Sequence, residues 1–183
     1  MPSLAEMPPS AMAKAALPGN SLYHLGASLI DQDGQAFKLL SRRGQPVLIS
    51  MFYNSCQFVC PMLIDTMRQT ENSLTPEERS RLSMLLVTFD PVRDDIKVLK
   101  AVAGKHQLDS AHWTLARTDA ASVRKLAASL GIQYRLLSNG EFNHTTTVVL
   151  LDPEGRIAGR TNKIGVVDRE FVKLVQKAIH STQ

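Results

Sequence analysis

The stretch Val47-Leu48-Ile49-Ser50-Met51-Phe52-Tyr53-Asn54-Ser55-Cys56-Gln57-Phe58-Val59-Cys60-Pro61 decides how this chain folds. Its first seven residues form an apolar run of strand length, which marks a strand buried on both faces. The residues after Pro61 recur at helical spacing: Met62, Leu63, Thr66, Met67 and Thr70 alternate with Asp65, Arg68, Gln69 and Glu71. Proline suits a first helical turn, where its missing N–H costs nothing. Cys56 and Cys60, the two cysteines of the chain, therefore fall on a strand-to-helix turn. Orphan N–H groups and the helix dipole favour a thiolate there, predicting pKa values below the ~8.5 of free cysteine. A thiolate attacks disulfides and binds soft metals. Core filler is the plain alternative for two cysteines, but these two are local and stand among Asn54, Ser55 and Gln57.

Outward from this stretch, the pattern alternates. Ala27 to Ile30 and Ala36 to Leu39 flank Asp31-Gln32-Asp33-Gly34-Gln35, which suits a hairpin. Thr75-Pro76-Glu77-Glu78 is a capping box opening a short helix. Ser83 to Phe89 reads as a second buried strand, ending at Asp90-Pro91-Val92-Arg93-Asp94, where Asp94 is placed to cap a helix to about His106. Trp113 to Ala116 predicts a short strand with Trp113 as a packing residue. Asp119 predicts a helix closed by Gly131. Ile132 to Leu137, Thr145 to Leu151 and Arg156 to Arg160 follow as strands, and Asp168 starts a last helix to about Ile179. The expected fold class is α/β: a thioredoxin-like arrangement, with a mixed central sheet flanked by helices and an added N-terminal β-hairpin.

The chain has 183 residues, 44% hydrophobic and 21% charged, as expected of one soluble domain. Residues 1–20, with Pro2, Pro8, Pro9, Pro18 and Gly19, read as a flexible tail, and residues 21–183 as a single domain. The tail's two methionines beyond the initiator, Met7 and Met12, read as tail residues. The net charge of +4 is spread, with no basic run longer than two, and aromatics are 5%; this argues against a nucleic-acid partner. No apolar run approaches the ~18 to 20 residues of a membrane span.

The CxxxC spacing adds one residue to the common CxxC. On a regular helix, positions i and i+4 hold β-carbons ~5 to 6 Å apart, wider than the ~3.8 Å of a disulfide. A metal with sulfur bonds near ~2.3 Å spans that gap, so spacing tilts toward metal without excluding a disulfide. Two sulfurs suit Cu(I), and an added imidazole allows Cu(II). Of His24, His106, His112, His144 and His180, His144 stands out, since it enters the strand expected at Thr145. Asp90 sits at a strand's carboxyl end, where it either tunes the sulfurs or serves the turn. Arg93 and Asp94 are docking candidates on the same loop.

The segment 47–61 quoted above, Val87-Thr88-Phe89-Asp90-Pro91-Val92-Arg93-Asp94, Phe142-Asn143-His144-Thr145 and Leu150-Leu151-Asp152-Pro153-Glu154-Gly155 resemble, in order, the motifs of the Sco/SenC family. The resemblance runs from about Ala27 to Ile179. It implies a thioredoxin-like fold and one copper, Cu(I) or Cu(II), held by Cys56, Cys60 and His144, with Cys56 and Cys60 also a redox pair. It implies a metallochaperone rather than a turnover enzyme, serving the CuA-bearing subunit of cytochrome c oxidase or another copper acceptor. Other periplasmic copper chaperones and thioredoxin-like reductants are further expected partners. The implied location is the periplasm, free or by a membrane anchor that is not visible in the sequence. The rival reading is a thiol:disulfide oxidoreductase that reduces the acceptor's cysteines. A peroxidase motif fails, because Ile49 and Tyr53 stand where its proline and threonine belong, and a closed zinc site lacks a fourth ligand.

Overall fold

The computed structural model describes residues 16–56 and 59–181. The first fifteen residues of the expected tail, Met7 and Met12 among them, lie outside the described residues, as do Gln57 and Phe58 in the cysteine loop. A seven-stranded sheet runs through the molecule: β1 (Ser28–Asp31), β2 (Ala36–Lys38), β3 (Val47–Phe52), β4 (Ser83–Thr88), β5 (Trp113–Arg117), β8 (Val148–Leu151) and β9 (Ile157–Thr161), in the order β2-β1-β5-β4-β3-β8-β9. The pairs β3·β4 and β4·β5 are parallel, and the remaining neighbours are antiparallel. Parallel strands need crossovers, supplied by α1 (Val59–Asn72) with α2 (Pro76–Ser80) and by α3 (Ile96–Lys105). Every residue of β3 and β4 is buried, because helices flank the sheet. The mixed sheet and the N-terminal hairpin β1–β2 are those read from the sequence.

Capping chemistry sets the helix ends. Thr75 and Glu78 form the reciprocal capping box of α2. Asp119 caps α4 (Ala120–Leu130), which closes at Gly131 with φ of 70°, a left-handed backbone that glycine adopts without strain. Asp168 caps α5 (Arg169–His180). Two expectations fail instructively. Helix α3 is capped by Asp95, whose side chain accepts the Val98 N–H, and not by Asp94, which is buried at 3% exposure. The strand expected over Thr145 to Leu151 starts only at Val148, as β8, and the residues before it, expected as a connection, form β7 (Phe142–His144), which pairs with β6 (Tyr134–Leu136) in a separate ribbon. Between them Thr145 Oγ1 accepts from Gln133 N at 2.9 Å and Thr147 Oγ1 donates to Thr161 O at 3.1 Å, so the chain turns from ribbon to central sheet on its threonine hydroxyls.

One cluster of buried side chains extends from Leu22 to Ile179, including Trp113, whose indole N–H donates to Glu71 Oε2 at 3.1 Å. Strand β3 lies between β4 and β8, so the loop at its carboxyl end is held at the middle of the sheet.

Candidate metal centre

Helix α1 begins at Val59, two residues earlier than its sequence suggests, and this places Cys60 inside the first turn and Cys56 in the loop before it. The Cys56 N–H donates to Tyr53 O at 3.2 Å, tightening the turn at the end of β3. Both cysteines are free thiols; Cys56 is half-buried and Cys60 is 3% exposed. Burial pushes the Cys60 thiol above the usual thiol range, against the lowering contributed by its hydrogen bond to the Tyr53 backbone; the Cys56 side chain raises it further. The helix N-terminus therefore does not leave a free thiolate at Cys60, because loss of water outweighs it. A metal must displace that proton to bind.

His144 is the last residue of β7 and half-buried, at the end of a strand and not the start of one. Its Nδ1 lies 3.1 Å from Thr145 O. A carbonyl only accepts, so this contact assigns the proton to Nδ1 and leaves the Nε2 lone pair available. The ring is walled by Phe89, 5.1 Å away between centroids, and by Tyr53, edge-on at 5.7 Å. The donor atoms of Cys56, Cys60 and His144 all lie within 4.8 Å of one another. Among the described residues this is the one His/Cys/Asp/Glu group so placed. Of the other histidines, His24 contacts Pro18 O and His180 contacts Glu78, while His106 lines the cleft described next.

A cleft of about 600 Å³ opens beside the sulfurs, between Ile64, Val102, Lys105, His106 and Glu141. The Asp90–Asp94 loop sits behind the site without supplying a donor to it. Asp94 accepts from Thr88 Oγ1 at 2.5 Å and from Asn54 N at 3.1 Å; burial holds its carboxyl above the usual range despite those donors. Asp90 pairs with the Arg93 guanidinium, which also donates to Gly140 O in the β6–β7 turn. Asp90 and Arg93 thus hold the loop to the ribbon.

Sequence reasoning missed Tyr53, Phe89, Glu141 and Phe142. The Tyr53 hydroxyl donates to Glu141 Oε2 at 2.9 Å and packs edge-on against Phe142, and burial pushes its pKa up to about 12. Their signal was the aromatic character of both chain segments next to the cysteines and the histidine. Among the described residues, no helix is long and apolar enough to cross a membrane.

A protein of Stutzerimonas stutzeri named as a candidate copper-binding protein is 24% identical over 135 residues, which span 72% of this chain and 65% of that relative's length. Yeast Sco1 with copper bound aligns with a TM-score of 0.70 at 20% identity, covering 85% of this chain and 87% of that one. Arabidopsis thaliana ScoI with copper bound gives 0.71 at 15% identity, covering 85% and 96%. A SCO1/SenC family lipoprotein of Bacillus anthracis gives 0.75 at 21% identity, covering 82% and 91%. These structural likenesses establish the thioredoxin-like Sco fold. The SCO1/SenC family model matches residues 23–179, nearly the whole described chain, and the protein therefore belongs to the SCO1/SenC family.

Proposed function

We propose that this protein is a copper metallochaperone that takes one copper ion as cargo on Cys56, Cys60 and His144 and delivers it to the dicopper CuA centre of cytochrome c oxidase. The observation that carries the reading is the convergence of two thiol sulfurs and one imidazole nitrogen within 4.8 Å. Two thiolates are the donor set of a soft ion, and an imidazole extends it to Cu(II). A structural zinc site wants a fourth protein ligand, which the described residues do not bring to this group. The copper-bound Sco relatives and the family membership support the same cargo. The acceptor is the CuA-bearing subunit or another copper-acceptor protein, with periplasmic chaperones and thioredoxin-like reductants upstream. The Bacillus lipoprotein relative supports a periplasmic, membrane-tethered setting.

A second reading is favoured by one feature. Cys56 is half-buried with Cys60 directly behind it, the arrangement of a dithiol that reduces a partner's disulfide while closing its own. The two readings separate in one experiment. The reduced, Cu(I)-loaded protein is mixed with a copper-free CuA subunit whose cysteines are already reduced. Delivery predicts copper on the subunit and the CuA absorption after oxidation. If copper stays on the donor, while the copper-free dithiol form reduces an oxidised CuA subunit, the oxidoreductase reading replaces this one.

A further inference from the structure

The two halves of the centre stand on different pieces of the fold. Cys56 and Cys60 follow β3, in the central sheet, whereas His144 ends the β6–β7 ribbon, which belongs to a sheet of its own. No ladder of backbone hydrogen bonds joins ribbon to central sheet, so beyond the short chain link Thr145–Thr147 into β8 it is side chains that fix the distance from imidazole to sulfur.

Tyr53 touches both halves. Its backbone carbonyl accepts the Cys56 N–H at 3.2 Å. Its hydroxyl donates to Glu141 Oε2 at 2.9 Å and lies 3.3 Å from both the carbonyl oxygen and the amide nitrogen of Phe142, accepting from the latter. Its ring stands edge-on to Phe142 at 5.1 Å and to His144 at 5.7 Å. Ring contacts tolerate sliding; hydrogen bonds to one hydroxyl do not. The Arg93 link to Gly140 O holds the ribbon's turn, and past His144 the Ser50 hydroxyl donates to Thr147 O at 2.5 Å; between these ties, the Tyr53 hydroxyl grips the start of β7 at Glu141 and Phe142.

We infer that Tyr53 is the positioning residue of the centre: its hydroxyl latches the histidine ribbon to the cysteine loop, and this latch sets how strongly the site holds Cu(II) relative to Cu(I). The inference rests on the copper-carrying reading above. Cu(I) is satisfied by two thiolates, while Cu(II) needs the nitrogen donor, so a poorly seated imidazole weakens the oxidised ion selectively.

The test uses Tyr53→Phe, which removes the hydroxyl and keeps the ring, beside the wild type. In metal-free protein, amide hydrogen exchange at Phe142 should quicken about tenfold in Tyr53→Phe, the worth of one such bond, with Leu85 and Val149 of the central sheet unchanged. With copper salts as the probe, Tyr53→Phe should weaken Cu(II) about tenfold and leave Cu(I) within about twofold. Wild-type exchange at Phe142, or an equal loss of Cu(I) and Cu(II), overturns the latch. The exchange measurement needs no metal, so it decides the latch even where the wild type takes up no copper, a result that would instead sink the copper-carrying reading.

Discussion

The buried carboxylate of Asp94 accepts the backbone N–H of Asn54 at 3.1 Å, and through that bond the loop after β4 holds the loop that carries Cys56. The same carboxylate takes the Thr88 hydroxyl at 2.5 Å, so two elements of the site hang on one side chain at 3% exposure.

Asp94→Ala leaves the Asn54 amide and the Thr88 hydroxyl without their acceptor. Two lost bonds beneath a buried loop should cost about 2–3 kcal/mol, read as a lower urea midpoint with an unchanged slope. Asp94→Asn, which keeps one acceptor oxygen, should cost less. An Asp94→Ala protein as stable as wild type would show that solvent replaces both bonds.

Glu78 gives a pH-dependent test of the helix packing. Backbone donation from Thr75 holds its carboxyl below the usual range, assisted by His180 and Gln176. A depressed folded-state value stabilises the fold above the unfolded pKa of ~4.3 and is lost as pH falls through the lower folded value. Glu78→Ala should therefore cost about 1–2 kcal/mol at pH 7, and the gap to wild type should narrow in acid below pH 4. A gap that widens there would contradict this account. Thermal melts of both proteins across that range settle the matter.

Redox state should gate loading. The sulfurs, within 4.8 Å of each other, must close to about 2.05 Å to form a disulfide, which a local shift of the Cys56 loop permits. The oxidised form has no thiolate to offer a metal. Mass spectrometry of oxidised protein should find an intact Cys56–Cys60 link without copper, and dithiol treatment should restore uptake. Full copper occupancy on the disulfide form would remove the cysteines from the ligand set.

Much of this architecture was legible in the chain because its signals were strong and local. The unbroken apolar runs at Val47 and Ser83 have no stable place except a sheet covered on both sides, and Thr75, Asp119, Gly131 and Asp168 mark helix ends by hydrogen bonds that need no tertiary partner. What failed depended on distant contacts. Asp94 and Asp95 are equal as caps by residue type, and only the approach of Asn54 and Thr88 sends Asp94 inward. Thr145 to Leu151 reads as one strand because threonine favours strands, until Gln133 and Thr161 claim the hydroxyls of Thr145 and Thr147. Cys60 looked activated by its helix, and burial against the core reverses the sign. The walls of His144, Tyr53 and Phe89, directly follow β3 and β4, far away in sequence, so periodicity could not show them.

The three-donor copper centre is tested by parallel titration of reduced wild type, Cys56→Ser, Cys60→Ser and His144→Ala with Cu(I) and with Cu(II). One copper should bind per wild-type chain, either serine variant should lose tight binding of both ions, and His144→Ala should keep Cu(I) but lose Cu(II) together with its sulfur-to-copper charge-transfer band. Wild-type Cu(I) affinity in either serine variant, or an undiminished Cu(II) band in His144→Ala, would contradict that centre.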